Sequence, residues 1–115
     1  MKKLSNSELY VMDVLWKEGS CTAKYISDVL NASIGWNINT TYTNIKRCIE
    51  KGAIRREDPN FLCHPIIAKE AVQLSEAEAL IDRLYEGSVH QLFAALVNGH
   101  KLSKGELEDL RKMID

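Results

Sequence analysis

Apolar residues in the first part of the chain recur at intervals of three and four. Leu9, Met12, Leu15 and Trp16 share one helical face, Ser5 and Glu8 have the spacing of a capping box, and Gly19 ends the pattern, which predicts a helix over residues 4–19. A shorter helix is predicted from about residue 22 to 30, capped by Thr22 or Cys21, with Ile26, Val29 and Leu30 facing inward and Ala23 permitting close packing. Residues 31–37 have no period and several turn formers, and read as a connection. The segment 37–52 then opens with small polar residues, acquires an apolar face at Thr41, Ile45, Cys48 and Ile49, and closes on Lys51 and Gly52, as a helix capped at each end does.

After Gly52 the pattern changes from a helical to an alternating period. Residues 53–57 and 61–65 are predicted short strands, separated by Asp58-Pro59-Asn60, which is turn chemistry. From Ile66 the chain is helical again: 74–85 carries Ala77, Leu80, Ile81 and Leu84, and Gly87 breaks it. Residues 88–97 carry Val89, Leu92, Phe93, Leu96 and Val97, and a turn at Asn98-Gly99-His100 follows. A last helix starts at Ser103, with Glu106 completing a second capping box, and shows Leu107, Leu110, Met113 and Ile114 on one face.

Three helices followed by a two-stranded hairpin is the winged-helix order, a helix-turn-helix variant. The predicted fold is therefore mostly α with a small β-hairpin wing: a winged helix-turn-helix DNA-binding domain over residues 1–67 and a helical dimerisation domain of three helices over 68–115. Three short helices outside a small core cannot bury so much Leu, Ile, Phe and Val alone. A second copy of the chain is the commonest way to cover such a surface. The residues assigned to that contact are Leu84, Leu92, Phe93, Leu96, Leu107, Leu110 and Ile114.

Charge sharpens this division. The whole chain has a formal net charge of −1, but residues 1–66 hold nine Lys/Arg against seven Asp/Glu, and residues 67–115 hold six against nine. Between 36 and 56 the basic residues are Lys46, Arg47, Lys51, Arg55 and Arg56, and the acidic one is Glu50. The positive field is local, where phosphate contacts need it. On the helix of residues 37–52, the face opposite the apolar one carries Asn39, Thr40, Tyr42, Thr43, Lys46 and Arg47, which mixes readers of base edges with phosphate binders. Asn pairs bidentately with adenine, and Thr offers a hydroxyl and a methyl. Tyr42 reaches phosphate through its hydroxyl or covers Trp36. Arg55 and Arg56 extend the set onto the wing. Together these eight residues are the candidate interface with double-stranded DNA.

Other chemistry finds little support. No stretch of about 18 apolar residues exists and Met1-Lys2-Lys3 precedes polar residues, so no membrane insertion is expected and the cytosol is the expected compartment. Cys21, Cys48 and Cys63 lack metal-site or disulfide-framework spacing and are expected to be reduced thiols, with Cys48 a small core residue. Cys63 and His64 are neighbours on a strand and point to opposite faces, so no metal and no cofactor is assigned. Carboxylates are dispersed and no glycine-rich phosphate loop follows a strand, which argues against an enzyme. Two other readings are a winged-helix dimer that binds protein, and a metal- or thiol-responsive repressor.

Several motifs in order resemble the penicillinase repressor family of bacterial transcription regulators, which includes the methicillin-resistance and copper-responsive repressors. They are residues 4–16 (LSNSELYVMDVLW), 40–52 (TTYTNIKRCIEKG), 84–88 (LYEGS) and 102–110 (LSKGELEDL), and the likeness runs from about residue 4 to 114. The resemblance implies a homodimeric winged-helix repressor with interlocked C-terminal helices and the recognition helix in the major groove of a two-fold symmetric operator. In the β-lactam branch a membrane sensor-protease pathway cuts the repressor in the helix corresponding to residues 88–97. That implies a proteolytic inactivation site at Ala95 and Leu96, where this chain carries Ala-Leu in place of the family's Asn-Phe. The copper branch has a C-terminal pair of Cys-x-Cys motifs, whereas no cysteine follows Cys63 here. Positions 41, 44 and 48, usually larger and aliphatic in the family, are Thr41, Asn44 and Cys48, which implies a smaller, wetter core face and a different preferred operator.

Overall fold

A computed structural model describes residues 2–114 as six helices and three short strands in two compact units, Met1–Val72 and Gln73–Asp115. Helix α1 is Asn6–Glu18, and its start is the predicted capping box: Ser5 Oγ accepts from Glu8 N–H at 3.2 Å, and a Glu8 carboxylate oxygen accepts from Ser5 N–H at 3.1 Å. Gly19 leaves the helix at φ +83°, a left-handed conformation natural to glycine.

Strand β1 is only Cys21–Thr22, and Thr22 at once caps helix α2, Ala23–Ile34, accepting from Tyr25 N–H at 3.1 Å. Here the structure corrects the sequence reading: α2 runs one turn beyond residue 30, so residues 31–34 are helix and only residues 35–37 connect. The last turn holds Asn31, Ala32 and Ser33 in solvent, so it carries no apolar period, and its stop is Gly35 in the αL conformation with its N–H on the Asn31 carbonyl. Asn37 caps helix α3, Ile38–Glu50, through its side-chain oxygen on Thr40 N–H at 2.8 Å.

The hairpin is β2, Ile54–Glu57, and β3, Leu62–Pro65, paired antiparallel with Arg56 opposite Cys63 and Arg55 opposite His64. A third strand went unpredicted. β1 pairs with the other edge of β3, Cys21 opposite Cys63 and Thr22 opposite Leu62, giving the order β1-β3-β2. Two residues are too few to show alternation. The core of this unit gathers Val11, Met12 and Leu15 of α1, Ile26 and Leu30 of α2, Ile45 and Cys48 of α3, and Ile54 and Cys63 of the sheet. At about 1.5 to 3 kcal/mol per buried large aliphatic side chain, this packing is what seats α3.

Helix α4, Lys69–Leu84, starts a turn earlier than the apolar period at 74–85 indicates, because Val72 is buried in the first unit's core. The second unit continues with α5, Val89–Asn98, capped by Ser88, and α6, Lys104–Ile114, whose Ser103 and Glu106 exchange the predicted reciprocal bonds at 3.0 and 3.1 Å. Neither α5 nor α6 has a buried residue. Among the described residues no helix is long and apolar enough to cross a membrane.

Candidate nucleic-acid interface

Helix α3 is held by its inner face and free on its outer one. Thr41, Asn44, Ile45 and Cys48 are buried against α1, α2 and the sheet, which fixes the rotation of the helix about its axis. Asn39, Thr43 and Lys46 then fall at i, i+4 and i+7 along the centre of the exposed side, with Arg47 beside them and Glu50 at the far end. Among the described residues the side chains of Asn39, Thr43, Lys46 and Arg47 have no hydrogen-bond or ion-pair partner. Ile38, more than half exposed, adds an apolar contact at the start of that side. Thr40 is half-buried on the flank, and its carbonyl accepts from the Asn44 side-chain amide at 3.0 Å.

Tyr42 does not cover Trp36. It meets Phe61 edge-on, with ring centroids 5.6 Å apart, while Trp36 packs against Tyr10. Phe61 sits at the mouth of β3 with φ +50°, and the Arg56 guanidinium lies over its ring at 3.6 Å while bonding Asp58 at 2.9 Å. Tyr42, Phe61 and Arg56 thus form a continuous stack from α3 to the wing. Phe61 is the member that sequence reasoning missed, since nothing local marks a contact between a helix residue and a hairpin-turn residue nineteen positions away.

The two wing arginines have different surroundings. Arg56 is two residues from buried Ile54 on one face of β2. Arg55 is on the other face, opposite His64 and beside Glu57. His64 bridges the strands there: its Nδ1 lies 2.7 Å from Ser20 Oγ and its Nε2 2.9 Å from a Glu57 carboxylate oxygen. The hydrogen bond and charge of His64, and then the charge of Arg55, hold the Glu57 carboxyl below its ordinary value. Arg55 therefore shares its face with a carboxylate that is already bonded to His64, whereas the carboxylate on the outer side of α3 is Glu50, at the far end of the helix.

Lys51 leaves the positive field altogether. Its ammonium turns inward to the buried Glu8 carboxylate at 2.5 Å and to the Lys3 carbonyl at 2.8 Å. Burial alone would raise the Glu8 pKa, but the Lys51 hydrogen bond and charge, with the Ser5 bonds, bring it below the ordinary value.

Burial pushes Cys48 up to about 12 and Cys63 up to about 11, and raises Cys21 as well, so all three are protonated near neutrality. Cys63 is buried and His64 faces outward, and among the described residues no group of three or more His, Cys, Asp or Glu is placed to hold a metal ion.

The residues assigned to dimer contact all lie in the second unit: Leu84 ends α4, Leu92, Phe93 and Leu96 lie on α5, and Leu107, Leu110 and Ile114 on α6. Leu84, Phe93, Leu107 and Ile114 are exposed, and Leu92, Leu96 and Leu110 half-buried. The Ala95–Leu96 bond lies inside α5, with both carbonyls accepting hydrogen bonds, from Gly99 and Lys101.

The order of these elements finds a match among known proteins. The family model described as penicillinase repressor matches residues 4–115. The chain belongs to the penicillinase repressor family. Among individual members, it is 25% identical over 115 residues to the methicillin resistance regulatory protein MecI of Mammaliicoccus sciuri, covering 98% of this chain and 94% of that protein. It is 27% identical over 120 residues to the penicillinase repressor of Bacillus licheniformis, covering 100% and 94%. The solution structure of the DNA-binding domain of the repressor BlaI superposes with a TM-score of 0.54 at 32% identity, covering 60% of this chain and 90% of that domain. The winged-helix class expected from the element order is therefore correct.

Proposed function

We propose that this member of the family is a homodimeric transcriptional repressor that seats α3 in the major groove of a two-fold symmetric operator, in the cytosol and without catalysis. The observation that carries this reading is the outer side of α3, where Asn39, Thr43, Lys46 and Arg47 have no side-chain partners among the described residues, on a helix whose opposite face is locked into the core. Free Lys and Arg side chains serve phosphates, and Asn and Thr in the same row serve base edges. Thr40 and Tyr42 flank that row, Tyr42 chiefly as the link to Phe61, and Arg56 carries the contact onto the wing at its stack on that ring. Arg55 reaches the backbone from the opposite face of the hairpin.

Dimerisation is supported by the second unit. All the hydrophobic residues of the buried core lie at or before Val72, while Leu84, Val89, Phe93, Leu107 and Ile114 are exposed beyond it. A second copy covering these helices removes them from water and supplies a second α3, which one half-site alone does not use. A membrane sensor-protease pathway acting at Ala95–Leu96 belongs to the same reading, and cutting there requires α5 to open, because the bond is inside a hydrogen-bonded helix.

Selection of bound duplexes from a random pool by the full chain tests the proposal. The expected product is an inverted repeat whose half-sites lie one or more helical turns apart. Recovery of no common sequence, or of a single half-site, contradicts it.

A further inference from the structure

The strand that sequence reasoning missed places two thiols face to face. Cys21 of β1 is the direct antiparallel partner of Cys63 of β3, so their side chains lie on the same face of the sheet. The register is fixed two residues further on by Ala23 N–H on the Phe61 carbonyl at 3.0 Å. By the alternation of an antiparallel ladder, Cys21 and Cys63 then occupy a hydrogen-bonded pair position, with Cα atoms about 5.5 Å apart. Disulfides span about 4.4 to 6.8 Å between Cα atoms, so the backbone is already in range, and the Cβ atoms need to close by about 1 to 2 Å. A strand of two residues at the sheet edge allows that movement. Neither thiol is in a disulfide, Cys63 is fully buried and Cys21 half-buried and reachable, and the charge of Cys21 acts on Cys63.

We propose that Cys21 and Cys63 are a redox-active dithiol that closes into an intrachain disulfide under a peroxide oxidant, tying the wing strand β3 to the segment that leads into α2. The half-exposed Cys21 reacts first. Its thiolate sulfur attacks the peroxide O–O bond, forming an S–O bond and releasing one water after proton transfer, which leaves a sulfenic acid. The Cys63 sulfur then displaces that hydroxyl, forming the S–S bond and releasing a second water. Two thiols are oxidised by two electrons in all and one peroxide is reduced to two waters. Cys48 takes no part, because it is buried on α3, with its thiol on the Glu8 carbonyl. The raised thiol pKa values make the first step slow near neutrality and faster as pH rises, since the thiolate is the nucleophile. The dithiol rests on the local sheet and not on the DNA-binding reading, so either stands if the other fails.

The test uses the full chain, reduced, freed of reductant and treated with excess hydrogen peroxide at mildly alkaline pH. Free thiols counted in denaturant should fall from three per chain to one, and non-reducing tryptic digestion should join the peptide of residues 18–24 to that of residues 57–69. Cys21→Ser, a mild change at a half-exposed site, should leave the Cys63 thiol free, and Cys48→Ala should leave the link intact. The oxidised protein should also unfold at a higher urea concentration than the reduced one, because the cross-link restricts the unfolded chain. Retention of all three thiols overturns the proposal. So does a disulfide that joins two chains, or oxidation of Cys21 to a higher acid with Cys63 still free.

Discussion

Lys51→Met should destabilise the first unit by about 2 to 3 kcal/mol without weakening DNA binding. The substitution keeps most of the aliphatic stem and removes the ammonium that bonds Glu8 at 2.5 Å and the Lys3 carbonyl at 2.8 Å. Glu8 retains the Ser5 bonds but no opposite charge among the described residues, and its side chain is 3% exposed, so its charge is stranded. Breaking a fully buried ion pair by removing one partner costs about 3 to 5 kcal/mol, and losing a hydrogen bond to a charged group about 1.5 to 3. The Lys51 side chain is 23% exposed, which lets water reach the gap and places the cost in the lower of these ranges. Urea unfolding followed by tryptophan fluorescence measures it, because Trp16 and Trp36 both lie in this unit. The sign of the pH dependence provides a second check. The Glu8 pKa is lowered by folding, so its contribution is present above the ordinary carboxylate value and lost as pH falls through the folded one. The stability gap between parent and Lys51→Met should therefore narrow in acid. A variant within about 0.5 kcal/mol of the parent at pH 7, or a gap that widens in acid, refutes the assignment of Lys51 to the core.

Other consequences concern neighbouring groups. Thr41 Oγ1 is buried without a hydrogen-bond partner among the described residues, so Thr41→Val should raise stability by about 1 kcal/mol in the same urea assay, and a loss would show that the hydroxyl is satisfied. Phe61→Ala removes the ring between Tyr42 and Arg56 and should cost about 2 kcal/mol of stability, less than a fully buried Phe, while lowering operator affinity in anisotropy titrations. Unchanged affinity would detach the wing from binding. Leu96→Asp or Leu110→Asp should shift sedimentation from dimer to monomer and weaken operator binding with it, and a dimer that survives both would move the interface elsewhere.

The N-terminal unit was largely legible in the sequence because its signals are local and physical. A capping box and an Asn cap mark helix starts with side chains that bond backbone within three residues, and Asp58-Pro59-Asn60 marks the hairpin turn. The last turn of α2 was not legible, because Asn31, Ala32 and Ser33 are solvated and its stop at Gly35 is a backbone conformation, not a pattern. Strand β1 escaped for the opposite reason, being made by its partner β3 and not by its own two residues.

On α3 the sequence separated most of the outer face from the inner by its 3.6-residue period, but Thr40 and Tyr42, assigned to the outer face, are half-buried on its flank. It did not show that Lys51 is consumed by Glu8, forty-three positions away, or that Arg55 and Arg56 have different companions. Charge counted along a chain overstates a field whenever some of those charges are already paired. Thr41, Asn44 and Cys48 lie on the buried side of the helix. They alter how α3 is seated, while Asn39, Thr43, Lys46 and Arg47 face outward.

The central claim is that the outer side of α3 meets DNA phosphates and bases, and the salt dependence of operator affinity tests it most directly. For the parent chain, the logarithm of affinity should fall linearly with the logarithm of salt concentration. Lys46→Ala and Arg47→Ala should each weaken binding at low salt and each reduce the slope by about one, whereas Lys51→Met should leave the slope unchanged. Parent-like slopes for both Lys46→Ala and Arg47→Ala, or a lowered slope for Lys51→Met alone, would contradict the account.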